Sequence, residues 1–243
     1  MFSKGFYELL NAISQFSIKN DGRVWFRGQS KNTYKLNSSL YRLKYDNLGE
    51  FINLENQQLN LLKVNSNLLE IGSNEIERLY LMQHYGMRTR LLDWTSNISI
   101  ALFFLSLEWT SDVNARLWML NPCKLNELAE KGFGLISPNS FTIKEFQEMN
   151  NSIAIYPIRN NKRIIAQHGY FTVQGNIGLP LEEEFNCRLI EEGYLKYIDL
   201  SYELKRDIIN FLKINDVNEF TVFPDMEGLK DYVNKTFIEE RFK

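Results

Sequence analysis

Apolar residues recur at helical spacing in several stretches of the chain. Leu9, Leu10, Ile13 and Phe16 predict a helix over residues 6–16. Phe51, Leu54, Leu61, Leu62 and Leu69 predict another over 50–71. Ile76, Leu79, Tyr80 and Met82 carry it on over 74–83, until Gly86 supplies a C-terminal cap. A further helix fits Asn97 to Trp109, with Thr95 or Ser96 placed to cap it. A short helix fits 124–132, and Leu204, Ile208, Ile209 and Leu212 fall in register over 201–213. A terminal helix covers roughly 226–239.

Strand signals lie between these helices. They are Val24-Trp25-Phe26-Arg27-Gly28, Arg116 to Leu120, the alternating run Arg163 to Val173 around Gly169, Leu189-Ile190, and Tyr194 to Ile198. Phe220 to Phe223 is also strand-like. Pro224 stops it, and Asp225 is placed to cap the last helix. Residues 133–162, rich in Asn, Ser and Pro, read as loop. There is no architectural repeat and no Pro/Gly/Ser linker. The pattern predicts an α+β fold: a single globular domain over residues 1–243, with a small mixed β-sheet core and helices packed around it.

Composition narrows the classes. A chain of 243 residues, 44% hydrophobic, buries a core without help from disulfides or metal. Its net charge of −2, with no long basic run, gives no support to a non-specific nucleic-acid binder. Cys123, Cys187, His84 and His168 do not fall at metal-ligand spacing. No metal is expected, and both thiols are expected to be reduced and mostly buried. The start of the chain lacks a signal-peptide pattern. The longest apolar stretch, Ile98 to Leu107, is too short to span a bilayer and contains Ser99 and Ser106. A cytoplasmic protein with no membrane partner is expected. Gly-rich phosphate loops, Gly-x-Ser-x-Gly elbows and His-Glu-x-x-His helices are absent.

Three segments are candidates for chemistry. In the first, Trp25-Phe26-Arg27-Gly28-Gln29, an Arg at a strand end can present its planar fork to a phosphate, and Gly28 lets a ligand approach the backbone. The plainer alternative is an Arg paired with a buried Asp. The second runs from Gln83-His84-Tyr85-Gly86 through Arg88, Arg90, Asp93, Trp94 and Thr95 to Ser96. Polar and aromatic residues crowd between two apolar helices there, and the next helix N-terminus offers N–H groups to an anion. The alternative is a connecting loop pinned by an Arg90–Asp93 salt bridge. The third, Arg163 to Gln174, puts Gln167 and His168 on opposite faces of a strand. A half-buried strand with a satisfied histidine is the stronger reading of that segment alone. Glu182-Glu183-Glu184 reads as a solvated acidic loop.

Taken together, these blocks resemble the FRG-domain family, named for its Phe/Tyr-Arg-Gly motif. Phe26-Arg27-Gly28, then Gln83-His84-Tyr85-Gly86 through Asp93-Trp94-Thr95, then Arg163 to Phe171, then Phe223 to Leu229 occur in order. The resemblance spans roughly residues 20–235, too many blocks for a chance match to one short motif. It implies a protein of bacterial or viral type, associated with mobile or phage-defence loci. A more distant resemblance is to ADP-ribosyltransferase folds. There an Arg-Gly on an early strand is followed by a Ser/Thr leading into a helix, then by a Glu or Gln on a later strand. Arg27, then Thr95 with Ala101 and Phe103, then Gln167 follow that order. A catalytic Glu is missing, because Gln167 cannot serve as a charged base.

The resemblance implies an NAD-consuming ADP-ribosyltransferase-like enzyme or toxin, or an NAD glycohydrolase, with NAD as substrate and a protein or nucleic acid as acceptor. Arg27, His84, Asp93, Thr95 and Gln167 would be catalytic. Trp25, Gly28, Gln29, Tyr85, Gly86, Arg90, Trp94, Ser96 and His168 would bind the nucleotide. Within these sets Tyr85 or Trp94 would stack on a ring, and His84 or Asp93 would stabilise developing charge. The alternative is a non-catalytic module that binds nucleotides, nucleic acid or a partner protein, with Arg27, Arg88 and Arg90 as phosphate anchors.

Overall fold

The computed structural model describes residues 1–44, 46–66, 75–159 and 161–239. Six strands form one sheet: β1 (Trp25–Gln29), β2 (Leu91–Thr95), β3 (Ala115–Leu120), β4 (Ile153–Ile155), β5 (Gly169–Val173) and β6 (Leu195–Leu200). Their spatial order is β4-β5-β2-β1-β3-β6. Each neighbouring pair runs antiparallel. The architecture is α+β as expected. The parallel pairing of a mixed sheet is confined, among the described residues, to an isolated bridge between Ile136 and Ile155.

Helix α1 (Lys4–Lys19) precedes the sheet. Helices α2 (Leu48–Val64) and α3 (Glu75–His84) lie between β1 and β2, and α4 (Ile98–Leu107) lies between β2 and β3. Helices α5 (Pro122–Leu128) and α6 (Ile143–Glu148) separate β3 from β4. α7 (Lys162–Ala166) precedes β5 and α8 (Arg188–Glu191) precedes β6. α9 (Lys205–Ile214), α10 (Glu219–Val222) and α11 (Met226–Val233) follow, before a π-helical turn at Asn234–Glu239. Period-two alternation sorts the strand side chains between the faces. Phe26, Leu117 and Met119 join α1, α4 and α9 in one core, while Trp25, Trp94 and Trp118 join Leu125 and Leu189 in another. A third cluster packs Ile76, Leu79 and Tyr80 of α3 on Leu91, Phe171 and Val173.

Several local expectations are corrected. Leu91 to Thr95, expected as a connection, is an interior strand paired with β5 along its whole length. Residues 163–166, expected as strand, are helical, because the Asn161 side chain accepts the Ile164 amide and starts a turn. The strand begins only at Gly169, after His168 takes a left-handed conformation (φ 47°). Leu189-Ile190 and Phe220 to Phe223 fall in or beside α8 and α10 and are not strand. Asn218 caps α10 by accepting the Phe220 and Thr221 amides. The loop expected over 133–162 holds α6, started by a Thr142–Glu145 capping box, and β4. Asn97, in place of Thr95 or Ser96, caps α4. The expected positions at 67–71 and 74, Leu69 among them, lie outside the described residues.

The acidic run is not solvated as a unit. Glu184 is fully buried and accepts the amide and hydroxyl of Ser152, while Glu182 is buried and accepts the Leu36 amide. Glu183 reaches out to Lys35. Of the two thiols, Cys123 is buried and Cys187 exposed. No group of His, Cys, Asp and Glu that could hold a metal occurs among the described residues. No helix among them is long and apolar enough to cross a membrane.

One buried ion pair ties the α2 side of the molecule to the sheet. Arg90 Nε and Nη2 each donate to Glu55 at 2.7 Å, with side-chain exposures of 1% and 2%. Arg90 Nη1 donates to the carbonyls of Phe146 and Gln174. Glu55→Ala strands that guanidinium, so it is expected to cost about 3–5 kcal/mol in chemical denaturation. An effect below about 1 kcal/mol would show that α2 adds little to the folded core.

Glu184 gives the fold a pH dependence. Burial pushes its carboxyl up to about 7, against hydrogen bonds from Ser152 that favour the charged form. The unfolded carboxyl loses its proton near its ordinary value, whereas the folded one holds it until about 7. Between those values the folded state carries more protons, so stability falls as pH rises through that window. Urea midpoints compared at pH 5 and pH 8 should therefore show a smaller difference in Glu184→Gln than in the parent. An unchanged difference would contradict the assignment.

Candidate functional site

Strands β1 and β2 are neighbours, with Phe26 opposite Thr95. β5 pairs β2 on the other side, placing Gly169 opposite Thr95. This adjacency opens a cavity of about 830 Å³ at the junction of the three strands, walled by α4, the chain after β1 and the segment before α11. Arg27, His84, Asp93, Thr95 and Gln167 all line it, as do Gly28, Gln29 and Trp94.

Gly28 belongs there for a reason other than ligand access. A Cβ at this position would stand 2.0 Å from the Ala101 carbonyl oxygen, so its absence lets α4 lie directly on β1. Ile100, Ala101 and Phe104 of α4 then form one wall of the cavity.

Arg27 sits at the base with 17% side-chain exposure. Its Nη1 donates to the Asp93 carbonyl at 2.6 Å and lies 3.9 Å from the Asp93 carboxylate, while its buried Nε has no partner. Burial holds the guanidinium down to about 10; Asp93 raises it and the charge of Arg42 lowers it further. Asp93 keeps 56% exposure and accepts a hydrogen bond from Gln83 Nε2 at 2.8 Å. Gln83 in turn accepts from the Thr89 hydroxyl. Thr95 Oγ1 donates to the Gln167 carbonyl at 2.7 Å, and Gln167 Nε2 donates to the Val222 carbonyl.

His84 ends α3 on the cavity wall. Burial and then Arg163 hold its imidazolium below the usual range, and Asp225 opposes them. Arg163 pairs with Asp225 at 2.7 Å and Glu227 at 3.3 Å and lies over the Phe223 ring. Asp225 also caps α11, as its sequence context suggests. The Phe223-Pro224-Asp225 block is thus both a helix start and part of the cavity wall, since Phe223 lines it.

Six expected binding residues do not line the cavity. Arg90 is consumed by Glu55, because a guanidinium with no solvent must be paired inside. That also removes the expected Arg90–Asp93 bridge. Trp25 is buried and stacks behind Tyr170 at 4.7 Å. Tyr85 follows the end of α3 and is 72% exposed, with its ring edge against His84. Gly86 turns the chain away with φ 75°. Ser96 and His168 are exposed beyond the strand ends, tied to each other by a backbone hydrogen bond. Arg88, the other anchor considered, donates to the Ser39 carbonyl away from the cavity. Of the expected aromatics, Trp94 does line it, but it is buried with Nε1 on Thr172.

Sequence patterns missed the residues that replace them. Tyr170, backed by Trp25, and Phe104 and Phe223 provide the aromatic lining. Lys35, Arg42 and Arg163 bring positive charge, and Tyr80 reaches the wall while donating to the Tyr156 carbonyl. Arg163, Tyr170 and Phe223 lie inside the blocks that resemble the FRG family. Lys35 and Arg42 lie outside all of those blocks.

Residues 22–113 match the FRG domain family. The FRG match takes in β1, α2, α3, β2 and α4, and with them Phe26-Arg27-Gly28, His84, Asp93 and Thr95. It stops short of β3 and of the cavity residues contributed by the second half of the chain. Comparison with curated proteins and with solved structures finds no match.

The two charges flanking His84 act on it in opposite senses. Asp225→Asn keeps an oxygen for the helix cap but removes the negative charge, so the His84 pKa should fall. Arg163→Gln should raise it. NMR titration of the imidazole reads both; no shift in either variant would show that His84 is set by burial alone.

Proposed function

We propose that the cavity binds a nucleotide carrying a nicotinamide or adenine ring, with Arg27 on its phosphates, and that NAD is its substrate. The convergence of Arg27, Thr95 and Gln167 on one cavity, from three adjacent strands or their ends, carries this reading. These are the positions whose order resembles ADP-ribosyltransferase folds. Tyr170 and Phe104 offer ring faces or edges of the kind a pyridine or a base packs against.

In this reading the bond between nicotinamide and ribose breaks. The ring leaves with the bonding electrons, and the electron-poor ribose carbon takes oxygen from water or an acceptor group. Developing positive charge at that carbon calls for a nearby negative group. Gln167 is an amide and supplies none. Asp93 is the exposed carboxylate beside Arg27 and is the candidate for that role. Such an enzyme would act as a toxin by draining NAD, in keeping with the phage-defence setting that the FRG resemblance implies.

A second reading, binding without turnover, is favoured by one observation. The Asp93 carboxylate is already engaged by Gln83 and faces the Arg27 guanidinium. Incubation with NAD separates the two. Free nicotinamide accumulating with time supports the enzyme, whereas heat with NAD, ADP-ribose or ATP in calorimetry without nicotinamide supports the module. Neither heat nor nicotinamide at millimolar ligand would overturn both. Arg27→Lys keeps the charge but loses the two-pronged donor, so it should melt within a few degrees of the parent and lose on the order of tenfold in affinity or rate. Parent-like binding and turnover in that variant would make Arg27 a structural residue.

A further inference from the structure

The cations around the cavity differ in how far they are neutralised. Arg163 is taken by Asp225 and Glu227, and Lys35 by Glu183 at 2.8 Å with Glu182 at 4.0 Å. Arg27 and Arg42 are neutralised least, Arg27 only by Asp93 at 3.9 Å. Arg27 spends Nη1 on a backbone carbonyl, has no partner for Nε and keeps its nearest carboxylate at 3.9 Å. Arg42 spends Nε on the Asn37 carbonyl at 3.1 Å, and no carboxylate pairs with it among the described residues. The two guanidinium groups line the same cavity from β1 and from the chain that follows it.

We propose that Arg27 and Arg42 form one diphosphate subsite, so that the ligand is a nucleoside diphosphate or a derivative of one and not a monophosphate. The proposal rests on the nucleotide reading above and specifies its anion. Two like charges facing one cavity repel each other, and the charge of Arg42 already disfavours the protonated form of Arg27. An anion between them removes that repulsion and gives the free N–H groups acceptors. A single phosphate has three terminal oxygens, but it bridges two guanidiniums only where both converge on it. A diphosphate offers an edge to each, which matches two guanidiniums carried by different segments. Tyr34 and Asn37, on the same segment as Arg42, line the cavity beside it and leave room for the rest of a nucleotide.

Calorimetry on the full chain with inorganic phosphate, inorganic pyrophosphate, AMP and ADP tests this. ADP should bind on the order of tenfold more tightly than AMP, and pyrophosphate more tightly than phosphate. Arg42 is exposed, so Arg42→Gln should melt like the parent. That variant should lose the advantage of ADP over AMP while its AMP affinity changes less than about twofold. Arg42→Lys, which keeps charge without the fork, should fall between. Equal affinity for AMP and ADP, or an Arg42→Gln variant that binds ADP like the parent, overturns the subsite and leaves the nucleotide reading standing. Pyrophosphate binding that depends on Arg42, with ADP no tighter than pyrophosphate, supports the subsite and counts against the nucleotide. No binding of pyrophosphate or ADP overturns both.

Discussion

Helix α4 can lie on β1 only because residue 28 has no side chain. The carbonyl of Ala101 occupies the space a Cβ would need, and backbone cannot yield as a flexible side chain can. From that contact follow the position of α4, the wall made by Ile100, Ala101 and Phe104, and the depth at which Arg27 sits beside its neighbouring glycine. The Phe-Arg-Gly motif therefore joins two requirements in adjacent residues: an Arg facing the cavity and a glycine admitting the helix that walls it.

A second constraint works from the other side of the sheet. Arg90 brings a full charge into the interior, and Glu55, two backbone carbonyls and an asparagine oxygen surround it. Such a centre adds little net stability compared with an apolar core, but it is intolerant of misplaced partners. It holds α2, α6 and the end of β5 in one arrangement about the start of β2. Asp93 lies three residues further along that strand, so the network that fixes Arg90 also fixes the register of the cavity carboxylate.

The cavity is electrically uneven. Its far rim, Arg163 with Asp225, Glu227 and His84, is internally neutralised, and it fastens the chain before α11 to the wall through Phe223. Its base is only partly neutralised: Asp93 stands 3.9 Å from Arg27, whose buried Nε has no acceptor. A region that spends charge on its own assembly is suited to shape a site. A region with unspent donors is suited to hold something else.

Local chemistry in the sequence was enough to place α1, β1, α4, β3, β6, α9 and α11, because periodicity and caps such as Asp225 act over a few residues. The same local logic singled out Arg27, His84, Asp93 and Thr95 as polar positions in apolar surroundings. It failed where a partner distant in sequence decides the outcome. Arg90 looked like a ligand residue until Glu55, 35 positions away, was brought against it. Leu91 to Thr95 looked like a connection because four of its five residues are buried irrespective of the face they point to, which leaves no simple alternation. Glu184 looked solvated until Ser152 covered it. Arg42 carried no mark of a site, and Tyr170 and Phe223 stood inside the matching blocks without any local sign that they face a cavity. The sheet order, which puts β5 and β1 on either side of β2, is what gathers them, and strand order is settled by long-range pairing that no local pattern encodes.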